Sequence, residues 1–157
     1  LPVHILEILS LPILNPDLAL IVMVSDCIPL LLRSESLVAA VHVGRAGLMN
    51  SIALKTVAKM RDLGAIQISG TIGPAICGSC YEVPQELHDQ VVALHPLASS
   101  RTQIGTPALD LPKALIAALT EVDVPVTSSA ECTLENDDYF SFRRNNKTGR
   151  QAGVIKL

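Results

Sequence analysis

Tryptophan is absent and the only aromatic residues are two tyrosines and two phenylalanines. The interior must therefore be filled by aliphatic side chains rather than stacked rings. Charge is scarce as well: 15 acidic and 12 basic residues leave a net charge of -3. That balance carries no basic footprint for DNA or RNA, and no nucleic-acid partner is expected. No apolar run reaches the roughly 18 residues that a membrane helix needs, because Asp17, Asp26, Arg33 and Glu35 interrupt the N-terminal third. A soluble chain with no membrane partner is expected. The four cysteines are too few and too widely spaced for a disulfide scaffold, and nothing resembles a signal peptide. A reducing cytoplasm is the expected setting.

What is present is a rather apolar chain of 157 residues, 49% of them hydrophobic, the size of one domain with a real core. It opens at Leu1, without a methionine and amid apolar material. A single domain lacking N-terminal or other segments is the expectation. Residues 1–16 read as short strands broken by Pro2, Pro12 and Pro16. Residues 18–24 and 28–32 are apolar strand candidates separated by Asp26-Cys27. A polar turn at residues 33–36 then leads into a strand over 37–43, and the pattern predicts a hairpin.

Apolar residues at helical spacing predict a helix over 48–63, ended by Gly64. Residues 66–72 alternate like a strand. Pro84 opens a helix running to residue 94, with Leu87, Val91 and Leu94 facing inward and His88 solvated. Residues 95–106 read as a polar loop, and Asp110 as the N-cap of a helix over 111–122 with Leu115, Ala118, Leu119 and Val122 inward. A short strand over 124–126, a loop containing Cys132, a strand and basic turn over 137–150 and a closing strand over 153–157 complete the chain. Strands and helices alternate, but hairpins interrupt simple βαβ repetition, so an α/β or α+β layered domain with mixed sheets is expected.

Two residues stand where sites are commonly built. Cys27 follows the first apolar run, with Asp26 beside it and Pro29 after it shaping a turn; His42 ends the second run just before Gly44 and Gly47. A cysteine after a strand is commonly a small buried hydrophobe, and a histidine there a core imidazole bonded to backbone. Two further chemistries are open. Thiolate and neutral imidazole suit Zn²⁺, which in catalytic sites takes three protein ligands and keeps one position free. Alternatively, a thiol activated by histidine is a nucleophile for hydrolysis or acyl transfer.

Cys77-Gly-Ser-Cys80 is a single Cys-x-x-Cys with no second pair, and reads as a turn of small residues before it reads as a metal or redox site. Arg143, Arg144, Lys147 and Arg150 form a basic cluster. A solvated turn is its default reading, and an anion site the alternative.

Four blocks in order resemble one family. They are Ser25-Asp26-Cys27-Ile28-Pro29-Leu30; residues 38–44, ending in His42-Val43-Gly44; Ile72-Gly73-Pro74-Ala75-Ile76 with Cys80-Tyr81-Glu82-Val83; and residues 139–144 with 148–153. From residue 18 onward the chain is similar to the bacterial laccase-domain, or multicopper polyphenol oxidase, family. Its members are described as purine nucleoside phosphorylases and some as cytoplasmic peptidoglycan editing factors. The resemblance implies a four-layer α/β/β/α fold with mixed sheets and a zinc site of one cysteine and two histidines. By position these are Cys27 and His42, with His4 as the only candidate for the upstream histidine. The family often has His-Ala-Gly-Trp-Arg-Gly where this chain has His42-Val-Gly-Arg-Ala-Gly47, so Arg45 replaces an aromatic contact.

The resulting expectation is a zinc-dependent purine nucleoside phosphorylase, with adenosine deamination as a companion activity and a purine nucleoside and phosphate as substrates. Cys27, His42 and Asp26 would be its catalytic residues, and Arg45, Arg143 and Arg150 would hold phosphate. The rivals are a metal-free Cys27/His42 hydrolase or amidase, including a cell-wall editing role, and a copper phenol oxidase. The last is disfavoured because the chain has only four histidines.

Overall fold

A computed structural model describes residues 17–157. The first strand among the described residues, β1 (Leu20–Val24), leads through the bend at residues 25–27 into β2 (Ile28–Arg33), which pairs antiparallel with β3 (Val38–Val43). The turn between them is tied by Ser34, whose N–H donates to the Leu37 carbonyl (2.8 Å) and whose Oγ accepts from the Leu37 N–H (3.0 Å). The predicted hairpin is present with this register: Ile28 opposite Val43, Pro29 opposite His42, Leu31 opposite Ala40.

Because side chains alternate along a strand, this ladder has two apolar faces. Ile28, Leu30 and Leu32 of β2, with Ala39, Val41 and Val43 of β3, join the large core formed with the helices. Leu31 and Ala40 point the other way, into a smaller cluster with Val22, Val24 and Cys27. That second cluster lies against the two-stranded sheet that β1 makes with the last strand, β8 (Gln151–Ile155), antiparallel from Leu20 opposite Ile155 to Val24 opposite Gln151.

The central sheet is mixed. β4 (Ser69–Ile72) pairs antiparallel with the other edge of β2, and β7 (Val126–Ser128) adds parallel to β4, giving the order β3-β2-β4-β7. Helices α1 (Arg45–Met49), α2 (Ile52–Asp62) and α4 (Leu111–Thr120) bury one stripe each against the large core. The helix, sheet, sheet succession matches the expected α+β class, as the α/β/β part of an α/β/β/α arrangement. Asp110 caps α4 as expected, its Oδ1 accepting from the Lys113 N–H at 2.9 Å with Pro112 in the first turn. Leu115 and Leu119 are buried.

Several expectations are corrected. The helix predicted over 48–63 is two helices, broken where Ser51 adopts a left-handed conformation (φ 58°). The strand predicted over 66–72 starts at Ser69, since Gln67 also has positive φ (54°). In α3 (Gln85–Leu94), Leu94 is exposed and His88 is buried rather than solvated. The His88 ring is bonded on both sides, Nδ1 to Asp89 Oδ1 at 3.0 Å and Nε2 to Ser99 Oγ at 3.3 Å, and that satisfies an otherwise costly burial.

The polar loop predicted over 95–106 is a 3₁₀ turn (Pro96–Ala98) followed by a hairpin, β5 (Ser99–Arg101) with β6 (Pro107–Leu109). The strand predicted over 124–126 lies at Val126–Ser128, and the closing strand begins two residues early, at Gln151. The strand predicted after residue 137 is instead a short helix, α5 (Phe142–Asn145), capped by Ser141 Oγ accepting from the Arg144 N–H at 3.2 Å.

Candidate functional site

Cys27 and His42 are brought to one face by the β2–β3 register. Extending the ladder by one residue from Ile28 opposite Val43 sets Cys27 opposite Gly44, and His42 lies two residues along β3 on the same face. A Cβ on Gly44 would stand 2.9 Å from Cys27 Sγ, so the glycine makes the space that the sulfur occupies. Both residues face the second sheet. Gln151, at the start of β8, donates to the Ser25 carbonyl and ties that sheet to the turn.

Asp26 holds the turn in place. Its Oδ1 accepts from Thr133 Oγ1 (2.8 Å), its Oδ2 from the Arg143 N–H (2.9 Å), and its carbonyl from the Ile76 N–H (2.9 Å). Three separate segments therefore converge on the residue next to Cys27. Both carboxylate oxygens of Asp26 are thus engaged in holding the turn.

Burial pushes the Cys27 thiol up, and the neighbouring Asp26 charge adds to this while Arg150 opposes it. Partial desolvation also pushes the His42 imidazole down, although the residue stays exposed at the sheet surface, and the Arg150 charge acts in the same direction. At neutral pH the pair is therefore thiol and neutral imidazole, not a thiolate–imidazolium pair. Arg150 is the one of the three candidate anion-binding arginines whose charge reaches both residues; its Nη1 donates to the Gly149 carbonyl at 3.0 Å. The Arg143 guanidinium turns elsewhere, donating to the Glu82 carbonyl at 2.7 Å and lying 4.7 Å from the centre of the Tyr81 ring. Arg45, the first residue of α1, leans on Met49 Sδ at 3.9 Å. His4 lies outside the described residues.

A second group of metal-ligating side chains was not foreseen as a unit. Cys77 and Cys80 do form a turn, but Cys132 and Glu135 stand against them, and the ligand atoms of all four lie within 4.8 Å of one another. Such a set of donors can hold a metal ion. The signal in the sequence was the Cys132-Thr-Leu-Glu135 spacing, which repeats the interval of Cys77 and Cys80 with a carboxylate in the last place. Burial opposes ionisation of Cys77, yet hydrogen bonds from Ser79, Cys132 and Cys80 outweigh it and bring its thiol below the usual range. Burial and the bond to Cys77 push Cys80 well up.

Comparison with known proteins agrees on one family. A family model described as multi-copper polyphenol oxidoreductase laccase matches residues 12–157. A purine nucleoside phosphorylase of Streptomyces coelicolor is 43% identical over 145 residues, covering 89% of this chain and 60% of its own length. One from Mycobacterium tuberculosis is 37% identical over 146 residues, covering 90% of this chain and 58% of its own. The chain thus spans about three fifths of the length of these curated relatives. Among solved structures, the YfiH protein of Bacillus licheniformis superposes with a TM-score of 0.84 at 30% identity, over 94% of this chain and 61% of that one. YlmD from Geobacillus stearothermophilus gives 0.83 at 30% identity, over 94% and 60%.

Proposed function

Since the chain belongs to the multi-copper polyphenol oxidoreductase laccase family, we propose that it carries the core of a zinc-dependent purine nucleoside phosphorylase of the cytoplasm, with adenosine deamination as a companion activity. The observation that carries this reading is Cys27 and His42 on one sheet face, beside the gap left by Gly44 and within reach of the Arg150 charge. It is supported by relatives named purine nucleoside phosphorylase.

The donor set fits the metal. A soft thiol and a neutral imidazole suit Zn²⁺, and a third ligand such as His4 would complete a three-residue site. Zinc bound there would supply an open position that polarises phosphate or lowers the pKa of water.

The chain's own residues supply the rest. Arg150 attracts the phosphate, whose oxygen bonds to the anomeric carbon as the bond to the purine nitrogen breaks and the base leaves with the electron pair. Asp26, held from three sides, keeps the Cys27 turn from shifting as the phosphate arrives. The low pKa of His42 keeps its imidazole in the form that ligates metal. A metal-free cysteine hydrolase is the weaker reading, because the raised Cys27 pKa leaves little thiolate at neutral pH.

Inosine and adenosine incubated with the protein in phosphate should release free base, and exhaustive chelation should abolish that release until zinc is restored. Activity that survives chelation points to the hydrolase. Zinc-loaded protein that releases no base overturns the phosphorylase reading.

A further inference from the structure

We propose that Cys77, Cys80, Cys132 and Glu135 form a second, structural metal site for a thiolate-preferring divalent ion of the zinc type. Its role is to clamp the β4–α3 loop to the β7–α5 loop behind the turn that carries Cys27. The inference does not rest on the nucleoside reading, since it concerns other residues and a different role.

The two halves of the site are built alike. In the first, the Cys77 carbonyl accepts from the N–H groups of Cys80 and Tyr81, both at 3.1 Å; in the second, the Cys132 carbonyl accepts from the Asn136 N–H at 3.0 Å. Each half is thus a turn closed between its first and fifth residues, which presents the first and fourth side chains together. The halves are joined by backbone: Ala75 and Cys132 form a parallel bridge, in which the Ala75 N–H donates to the Glu131 carbonyl and the Thr133 N–H to the Ala75 carbonyl, both at 3.2 Å. Across the join the Cys77 N–H points at Cys132 Sγ at 3.4 Å, a bond that favours a thiolate acceptor.

The dimensions suit a tetrahedral ion. Zn–S bonds of about 2.3 Å set neighbouring sulfurs about 3.8 Å apart, and the four ligand atoms already lie within 4.8 Å of one another. Side-chain rotation covers the difference. Three thiolates select zinc-like ions over magnesium or calcium, and four protein ligands leave no open position, which is the pattern of a structural site. Binding releases the thiol protons to solvent. The consequence reaches the other centre, because Ile76 and Thr133, the neighbours of two ligands, are both donors to Asp26.

The test is a Co²⁺ titration of the reduced chain carrying Cys27→Ser and His42→Ala, which removes the two described donors of the first centre. We expect the near-ultraviolet thiolate-to-cobalt band and the strong visible bands of a tetrahedral ion, saturating at about one equivalent per chain, and displacement by Zn²⁺. Adding Cys80→Ser or Cys132→Ser should weaken binding at least about tenfold and diminish the thiolate band. Glu135→Gln keeps all three sulfurs, and should retain that band while shifting the visible bands. Binding should also slow amide exchange at Ile76 and Thr133.

Absence of a thiolate band in the starting variant overturns the site, as does Co²⁺ affinity unchanged by Cys80→Ser. Circular dichroism checks the fold of each variant. Should the cysteine variants unfold, unchanged spectrum and affinity in Glu135→Gln overturn the four-ligand site. The phosphorylase reading is untouched by any of these outcomes, because it is assayed by base release from the unaltered protein.

Discussion

Cys27 sits in the bend at the head of β2, against the sheet that carries His42, whereas Cys77, Cys80 and Cys132 belong to two turns, and the contrast governs what each group can do. Around Cys27 and His42 the ladder fixes the backbone, burial raises the thiol, and the described residues bring two donors together. In the turns, four donors converge with little regular structure, joined by a parallel bridge and the Cys77 N–H to Cys132 Sγ bond. A rigid frame with an incomplete donor set suits a centre that must leave room for substrate. A soft frame with a complete set suits an ion that does the holding. Asp26 connects them, bonded to the neighbours of Cys77 and Cys132 and adjacent in sequence to Cys27.

Each region has a glycine in tight contact, and substituting the two separates the roles. A Cβ on Gly44 would lie 2.9 Å from Cys27 Sγ, the free end of a side chain that can swing aside. Gly44→Ala should therefore leave stability within about 1 kcal/mol of the parent. Displacing the sulfur by about an ångström should nevertheless cut base release about 100-fold. Steady-state assays beside thermal melts decide it, and a melting point that falls along with activity would break the contrast.

Gly78→Ala should do the reverse. Its Cβ would come within 2.7 Å of Asp110 Cβ and 2.9 Å of the carboxylate that caps α4. Cβ sits next to the backbone and cannot swing away, so the clash must move the loop or the cap. A loss of about 2 kcal/mol is expected from overpacking and loss of the cap, measured by urea unfolding. A change in base release as large as that of Gly44→Ala would show that the turns, and not the sheet, set the reactive geometry.

How far these features were legible beforehand follows the range of the interactions. The β2–β3 hairpin and the Asp110 cap depend on neighbours, apolar runs flanking a polar turn and an acid three residues before the N–H it bonds, and both were readable. The break at Ser51 was not. Helical spacing continues through it, and the interruption accompanies a close approach in which a Cβ on Gly47 would meet Ile52 Cγ2 at 3.2 Å and the His42 carbonyl at 3.4 Å.

Residues 95–106 read as loop because the strands there are only three residues long and β5 is mostly exposed; the buried pair of β6, Ala108 and Leu109, is too short to show a strand pattern. Cys132 joining Cys77 depends on a bridge between segments more than fifty positions apart, which no local pattern encodes. The resemblance pointed to Cys27 and His42, and the register sets them on one face.

The smallest expected effect concerns the metal-free protein and distinguishes the two donors of the sheet centre. The His42 pKa is depressed by partial desolvation and by Arg150, so folding disfavours its protonated form. The stability attached to it is complete above the ordinary value of 6.5 and is lost as pH falls through the lower folded value. Cys27 has the opposite sign: its folded pKa is raised, so its contribution is complete below the ordinary value of 9.0 and is lost as pH rises through the folded value. Melts of chelated protein across this range should therefore show a plateau with shallow losses on both sides. His42→Ala should reduce the acid loss, and Cys27→Ala should reduce the alkaline loss while leaving the part that the raised Cys80 thiol contributes. Zinc should alter both limbs together, because one ion bound to thiolate and neutral imidazole couples the two titrations. Limbs that still move independently in zinc-saturated protein would mean that Cys27 and His42, although on one face, do not share an ion.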